Sequence, residues 1–592
     1  MSNSDFLQTL PRLWQHITPR RRRQYGVLLV VMVLASFAEV ISIGAVVPFL
    51  GALTTPERIF DHPMAQSFIN VLNLTEPQQL LLPLTMVFGV GAVISGVTRL
   101  WLLRLQTRLA FATGADLGFR MYRGTLYQPF AVHAARNSSQ VIAGISNKTN
   151  LVVGEIILPL SSLVSSILIV IAILLALMAI EPVVAVAVLT GFGAIYVVVM
   201  LISRTALSEH SRSINHETSR VIKVLQEGLG GIRDVLIDGT QATYCNIFKN
   251  ADLPLRRAQG SVHIIKFGPR YGIEALGMLL LGILAYSLAS RPSGFAGAIP
   301  VLGAMALGAQ RLLPMIQTIY ACWAAMLASY SVLNEVLDLL DQPLPAHVDA
   351  PPKSLLPFQH SITLSDLTFR YQQDTPWVFH HGVSLSIPKG SRIGFIGATG
   401  SGKSTLLDII MGLLRPTSGS LAVDGVSIVE KNCRGWQGHL AHVPQAIFLS
   451  DTTIAENIAF GIPVEDIDYV RVREAAQKAQ IAQTIDSWSS QYNTVVGERG
   501  VRLSGGQRQR IGIARALYKQ ADVIVFDEAT SALDNETEHT VMEAIENLDD
   551  ELTIIIVAHR LTTLKNCTQI VELDDGKIKR IGSYADIVGQ AV

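Results

Sequence analysis

Gly397-Ala398-Thr399-Gly400-Ser401-Gly402-Lys403-Ser404 has the spacing of a loop that grips phosphate. Glycines let the backbone N–H groups wrap an anion, and a helix starting at the end of the loop adds a favourable dipole. Lys403 is then placed to contact the β- and γ-phosphates of a nucleotide, and the Ser404 hydroxyl to ligate Mg2+. Further along, the apolar run Val523–Phe526 ends in Asp527 and Glu528. Asp527 is suited to hold the metal through water, and Glu528 to polarise an attacking water; capping of the strand is the plainer reading of the same pair. Between these motifs lies Leu503-Ser504-Gly505-Gly506-Gln507. Ser504 and the glycine amides, at a helix start, form a second anion-binding surface. Within one subunit that surface has no evident use, because the phosphate loop is already formed elsewhere.

These residues need an α/β scaffold to position them. Ile393–Ile396 reads as a buried strand delivering the loop, and Leu406–Ile410 as the helix that continues from it. Ile362–Leu364 and Leu367–Phe369 read as two strands near the start of this domain, which is expected to begin at Phe358.

A phosphate loop, an LSGGQ stretch and a strand ending in Asp-Glu, in this order, resemble the nucleotide-binding domain of an ABC transporter. The resemblance implies ATP and Mg2+ as ligands and adds residues to the site. Thr405 joins the ATP-binding set, Tyr371 stacks on adenine, and Gln445 joins Ser404 and Asp527 at the metal. Ser531-Ala532-Leu533-Asp534 matches the D-loop, and His559, contacting the γ-phosphate, shares catalysis with Glu528. It also implies that Leu503–Gln507 closes over ATP held by an opposite subunit, so two chains are required. Because Lys403, Ser504, Glu528 and His559 are all present, a homodimer with two working sites is expected; a heterodimer with a degenerate partner is the alternative.

The rest of the chain supplies a different class of element. Charged residues are only 16% of 592, the formal net charge is zero, and the apolar runs gather in the first 330 residues. Zero net charge gives no reason to expect nucleic acid as a partner. The four cysteines, Cys245, Cys322, Cys433 and Cys567, have no metal or disulfide spacing and read as free thiols. A membrane helix needs about 20 mostly apolar residues. Residues 25–49, 80–103, 156–180, 183–202, 271–290 and 294–327 meet that requirement, giving a six-span helical bundle over 1–330. A Pro-rich linker over 331–357 and an α/β ATPase domain over 358–592 follow. The segment 1–24 carries Arg12 and Arg20–Arg23, and the connections 104–154 and 203–265 are rich in Lys and Arg. The three opposite connections hold only Arg58 and Arg291. Both termini and the ATPase are therefore expected in the cytoplasm, with the chain in the plasma (bacterial inner) membrane. The two long connections read as helices running on into the cytosol, turning near 137–147 and 227–238. With 24 residues ahead of the first span, no peptidase domain of the leader-cleaving kind is expected.

Cargo must be read from the spans. Glu39, Arg99, Arg270, Glu274 and Arg311 are ionisable residues in or near them. Such groups pair with one another across helices, or face a wet cavity where a guanidinium suits phosphate. Met64, Phe68, Val71 and Leu72 recur at helical spacing in the outer loop. With Phe37-Ala38-Glu39 and Gln310–Pro314, this pattern resembles bacterial lipid-linked oligosaccharide flippases. It implies that Glu39, Arg99, Arg270 and Arg311 line a substrate cavity for a lipid-linked glycan. A drug, lipid or peptide exporter is the rival within the class, and an ATP-gated channel or regulator the rival outside it. A soluble ABC ATPase acting on DNA or ribosomes is excluded if the spans insert.

Overall fold

The computed structural model describes the chain apart from residues 1–2, 55, 62–65, 67–68, 71, 73, 135–140, 143, 181, 290–293, 346–347, 349–354, 529–537, 540–542, 544–550, 559–560 and 589–592. It divides into two compact units. The first comprises Met1–Tyr127 and Arg136–Pro343, and the second Leu344–Val592 together with Gln128–Ala135.

The first unit is helical. An N-terminal helix, Asn3–His16, precedes the long helices Pro19–Gly44, Leu81–Leu126, Leu158–Ile180, Pro182–Gly230, Gln241–Phe267, Pro269–Ala289 and Gly294–Ala328. Backbone groups in hydrocarbon must bond within their own segment, which explains the absence of strands from the apolar runs described here. Among the described residues, four stretches are long and apolar enough to cross a membrane: Pro19–Ser42, Pro77–Leu126, Gly144–Ala179 and Leu189–Gly230. The pair Gln310–Ala328 and Tyr330–Leu340, bent by 56°, makes a fifth by the same measure. The expected fifth and sixth spans fall on the helices Pro269–Ala289 and Gly294–Ala328. Leu34, Phe37, Leu100 and Ile202 are exposed on these helices, as lipid-facing side chains are. The inner faces pack Leu28, Val31 and Met32 with Leu102, and Ile169 and Ile173 with Tyr196, Ile273 and Leu312.

Several helices continue far beyond a bilayer's thickness, as 46 residues in Leu81–Leu126 and 49 in Pro182–Gly230 require. The second connection turns through the short helix Ile232–Ile237, within the expected window. The first turns by way of the short helix Phe130–Ala134, and of the expected window residues 137–140 and 143 lie outside the described residues. Two π-helical segments, Gly144–Lys148 and Val153–Ile157, lie in the return from that turn. Of the expected outer-loop helix, Met64, Phe68 and Val71 lie outside the described residues.

In the second unit, six strands order as β10-β9-β3-β8-β7-β6, where β3 is Arg392–Ile396, β6 Leu440–Val443, β7 Val523–Asp527, β8 Thr553–Val557, β9 Gln569–Asp574 and β10 Lys577–Gly582. β6, β7, β8, β3 and β9 run parallel, and only β10 is antiparallel. All five residues of β8 are buried, because a central parallel strand is covered on both faces. A separate antiparallel sheet orders β2-β1-β4-β5, with β1 at Ser361–Phe369, β2 at Phe379–Pro388, β4 at Ser418–Val423 and β5 at Val426–Ser427. The two strands expected at 362–369 are one strand. Its register shifts between Leu364 and Leu367, where Asp366 takes φ 46°, and that irregularity breaks the alternation in two. Between the layers Trp436 is fully buried, its indole N–H donating to Ile410 O at 2.8 Å.

Asp424 secures the start of this unit. Its carboxylate accepts the backbone N–H groups of Gln359, His360 and Ser361, the last two at 2.8 Å each. Burial pushes its pKa up, but the three donors together outweigh that and hold it below the ordinary carboxylate range. The group's stabilisation is therefore complete above about 3.9, the ordinary value, and is lost as pH falls through the lowered folded value. Asp424→Asn should cost the full chain on the order of 1 kcal/mol near neutral pH, after allowance for solvent screening. In pH-dependent melting, the gap between wild type and variant should close in acid; a gap constant with pH would show that the charge contributes nothing.

Candidate functional site: a phosphate loop beside two carboxylates

The loop from Gly397 to Gly402 leaves β3 and enters the helix Lys403–Ile410. Gly397, Gly400 and Gly402 have φ values of 149°, 87° and 99°, a backbone path that side chains disfavour. A Cβ on Gly397 would lie 2.1 Å from Leu573 O, and one on Gly402 2.7 Å from the ring of Phe379. A Cβ on Gly400 would meet nothing within 4 Å. Lys403 is buried, and its ammonium donates to Gly397 O at 2.8 Å and Ala398 O at 3.0 Å, which folds it back across the loop. Ala398, Thr399 and Gly400 are exposed. Ser401 is buried, with its hydroxyl lacking a hydrogen-bond partner. An unbonded buried hydroxyl among phosphate-directed amides fits an anion at this place. Tyr371 OH lies 3.2 Å from Thr405 Oγ1, so the tyrosine sits beside the loop's helix with its ring half-exposed. Phe369 supports that ring edge-on at 5.0 Å.

Sheet register sets the carboxylates. Val443 of β6 pairs with Phe526 of β7, so Gln445 and Glu528 each follow by two residues. Gln445 Nε2 donates to Glu528 Oε2 at 2.6 Å. Glu528 N donates to Val557 O at 3.0 Å, and its φ of 51° is unusual for a residue with a side chain. Asp527 hydrogen-bonds Ser404; burial first, and then the charge of Glu528, push its carboxyl up, against the pull of Ser404 and Lys403. Ser404, Asp527 and Gln445 thus offer hard oxygen donors at one place, the set that Mg2+ prefers when phosphates complete its shell. Among the described residues, no group of three or more His, Cys, Asp or Glu could hold a metal without such help.

Asp408 is a neighbour that the sequence reading passes over. Burial, together with the charge of Asp527, pushes it up to about 6. Its only signal is a carboxylate in the otherwise apolar Leu406–Ile410 stretch.

Ser504 caps the helix Gly505–Tyr518. Its hydroxyl accepts Gln507 N at 3.2 Å, and Ser504 N donates to Gln507 Oε1 at 2.9 Å, a reciprocal box that fixes the helix start. Leu503 is buried beneath it, while Ser504 is exposed and Gly505 and Gly506 are partly so. His559 and the stretch Ser531–Asp534, including Asp534, lie outside the described residues.

In the membrane-type unit, Glu39 is 1% exposed and gathers two arginines. Arg99 approaches its Oε1 at 2.8 Å and Arg311 at 3.0 Å, and the Ser95 hydroxyl donates to Oε2 at 2.6 Å. Arg270 is engaged separately, with Glu274 one turn along its own helix at 2.8 Å. Gln317 donates to the same carboxylate at 3.2 Å. Of the four residues expected to line one cavity, three therefore meet and Arg270 has a different partner.

Gly397→Ala should weaken ATP binding to the full chain by at least about tenfold, since the methyl collides with the Leu573 carbonyl. Gly400→Ala carries a backbone penalty but no collision and should lose less, as read by fluorescent-nucleotide titration. Equal losses would show that close packing against Leu573 is not what shapes the loop.

Comparison with known proteins bears on both units. A family model described as ABC transporter matches residues 380–531, and one described as ABC transporter transmembrane region matches 25–288. The ATP-dependent lipid A-core flippase of Saccharophagus degradans is 38% identical over 265 residues, covering 45% of this chain and 44% of that protein. The protein of the same name from Chromohalobacter salexigens is 33% identical over 395 residues, 64% of this chain and 65% of that one. That of Francisella novicida is 31% identical over 385 residues, 64% of each. The chain thus aligns with between 44% and 65% of these relatives' lengths. Among solved structures, that of a bacterial Atm1-family ABC exporter with ATP bound superposes with a TM-score of 0.78, at 21% identity, over 96% of both chains. With a transmembrane region and an ATPase domain matched in turn on one polypeptide, this chain is a multi-pass membrane protein of the ABC transporter family.

Proposed function

We propose that this chain is an ATP-driven flippase that moves an amphipathic lipid with an anionic head group, of the lipid-linked oligosaccharide kind, from the cytoplasmic to the outer leaflet. The observation that carries the reading is the convergence of Ser404, Asp527, Gln445 and Glu528 at one sheet edge, on a chain that also supplies membrane-length helices. The name borne by its relatives, ATP-dependent lipid A-core flippase, supports a lipid as cargo. The two arginines gathered at Glu39 support an acidic head group.

In this scheme Tyr371 stacks on the adenine of ATP, the Gly397–Thr405 loop cradles its phosphates, and Lys403 turns from its own carbonyls to the β- and γ-oxygens. Ser404, Gln445 and Asp527 would hold Mg2+, which neutralises charge on the phosphate oxygens when bound. Glu528 orients and polarises the attacking water, while Gln445 holds its carboxylate in place. His559 contacts the γ-phosphate. The Leu503–Gln507 surface, exposed at Ser504, meets the nucleotide held by a second copy, and Asp534 serves in the D-loop, so the working unit is a homodimer. Closure of that dimer on ATP turns the spans outward, and hydrolysis resets them. Both termini and the ATPase lie on the cytoplasmic side of the bacterial inner membrane, as the Arg-rich segment before the first span supports.

Glu528→Gln tests the scheme, because it keeps the shape of the side chain and the bond to Gln445 but removes the base. ATP binding should persist while hydrolysis falls by about 10²- to 10³-fold. In proteoliposomes, movement of a fluorescent polyprenyl-pyrophosphate glycan should stop, and the dimer should remain closed. Undiminished steady hydrolysis would overturn the assignment of the base, and glycolipid movement independent of ATP would overturn the pump. Ionic current through the wild-type protein without hydrolysis would favour a channel.

A further inference from the structure

We propose that Glu39 is a built-in counter-anion for a phosphate site formed by Arg99 and Arg311, and that the anionic head group loads by taking those guanidiniums from it. This rests on the reading above that the cargo carries a phosphate-bearing head group.

Three helices bring the group together: Pro19–Gly44 supplies Glu39, Leu81–Leu126 supplies Ser95 and Arg99, and Gly294–Ala328 supplies Arg311. Both arginines converge on a single oxygen of Glu39, and Ser95 occupies the other. Glu39 Oε1 and Arg99 Nη2 are both buried without a hydrogen-bond partner, so this carboxylate oxygen holds the guanidiniums by charge alone, a grip that another anion can replace. Two guanidiniums against one carboxylate leave one positive charge uncompensated, in a setting where bare charge is costly. Each guanidinium has five N–H donors, and Arg99 Nε is buried with no acceptor. Exposure is also divided unequally. The Arg99 and Arg311 side chains are 32% and 33% exposed, and Glu39 only 1%, so an incoming anion reaches the arginines and not the carboxylate.

A pyrophosphate supplies more negative charge than Glu39 and several oxygens for the guanidinium forks. It can satisfy both arginines, after which Glu39 keeps only its bond from Ser95. When the head group departs, Glu39 recaptures the arginines, so release never leaves two bare cations among apolar helices. Glu39 thereby loosens the hold on acidic head groups and takes no part in holding neutral ones, which have no charge to exchange with a carboxylate.

The test uses the full-length protein in nanodiscs of zwitterionic lipid, with a polyprenyl pyrophosphate as probe and the neutral polyprenol as control. Glu39→Gln should bind the pyrophosphate about tenfold more tightly than wild type, a difference that shrinks with salt. It should leave polyprenol binding unaltered. The variant should melt at a lower temperature than wild type alone and recover more when the probe is added. Glu39→Asp, whose shorter carboxylate grips the arginines less well, should bind with an affinity between the two. Unchanged or weaker pyrophosphate binding in Glu39→Gln and Glu39→Asp, while Arg99→Ala and Arg311→Ala each weaken it, would sink the exchange yet leave the head-group reading standing. If neither arginine variant alters pyrophosphate binding, the head-group reading itself falls.

Discussion

The site depends on one constraint, the parallel register of β3, β8, β7 and β6. Phe395 pairs with Val557, and Val557 with Asp527, so the ends of three strands lie level across the sheet. Val443 against Phe526 extends the alignment to β6. Three of the residues proposed to meet nucleotide, metal or water leave the sheet within a few residues of that line: Gly397 after β3, Glu528 after β7, Gln445 after β6. A slip of one residue in any strand would reverse which side chains face the layers covering the sheet. The buried runs of Ile, Val and Phe therefore do more than stabilise the unit. They fix the relative height of the Gly397–Gly402 loop, Asp527 and Glu528.

That dependence explains why so much of the site is legible from residues alone. A phosphate loop must have glycines where φ is positive, and β7 must be apolar until it reaches water at Asp527. Both rules are local and leave a mark in the sequence. Asp408 leaves none, because its proximity to Asp527 depends on how the Lys403–Ile410 helix lies against the sheet. The bulge in β1 escapes for a related reason: Asp366 at positive φ looks like a break between strands when only alternation is read. The short helix Phe130–Ala134 between long helices also escapes, because apolar periodicity in a long helix marks faces and not ends.

Among the spans, legibility is coarser still. Length and hydropathy select membrane helices, but they do not say which way a charged side chain turns. Arg99, Arg270 and Arg311 are indistinguishable as residue types. Only packing separates the two that meet Glu39 from the one that bonds Glu274 on its own helix. The distinction follows from spacing: Arg270 and Glu274 are four residues apart and need no third helix, while Glu39 has no cation within one turn and must find its partners across the bundle.

The two units solve the same problem with opposite means. In the ATPase unit, the phosphate loop offers an anion its backbone N–H groups, a helix start and one lysine that rests on the loop's own carbonyls. Those carbonyls carry only partial charges, so they hold the ammonium without a full counter-charge. In the spans, no backbone is free to play that part, because every amide is committed to its helix. An unengaged guanidinium there needs a full counter-charge, and the chain provides it as Glu39. A carboxylate anchored at one oxygen by Ser95 and shared at the other by two arginines is a compact way to keep cations in hydrocarbon without making them permanently unavailable.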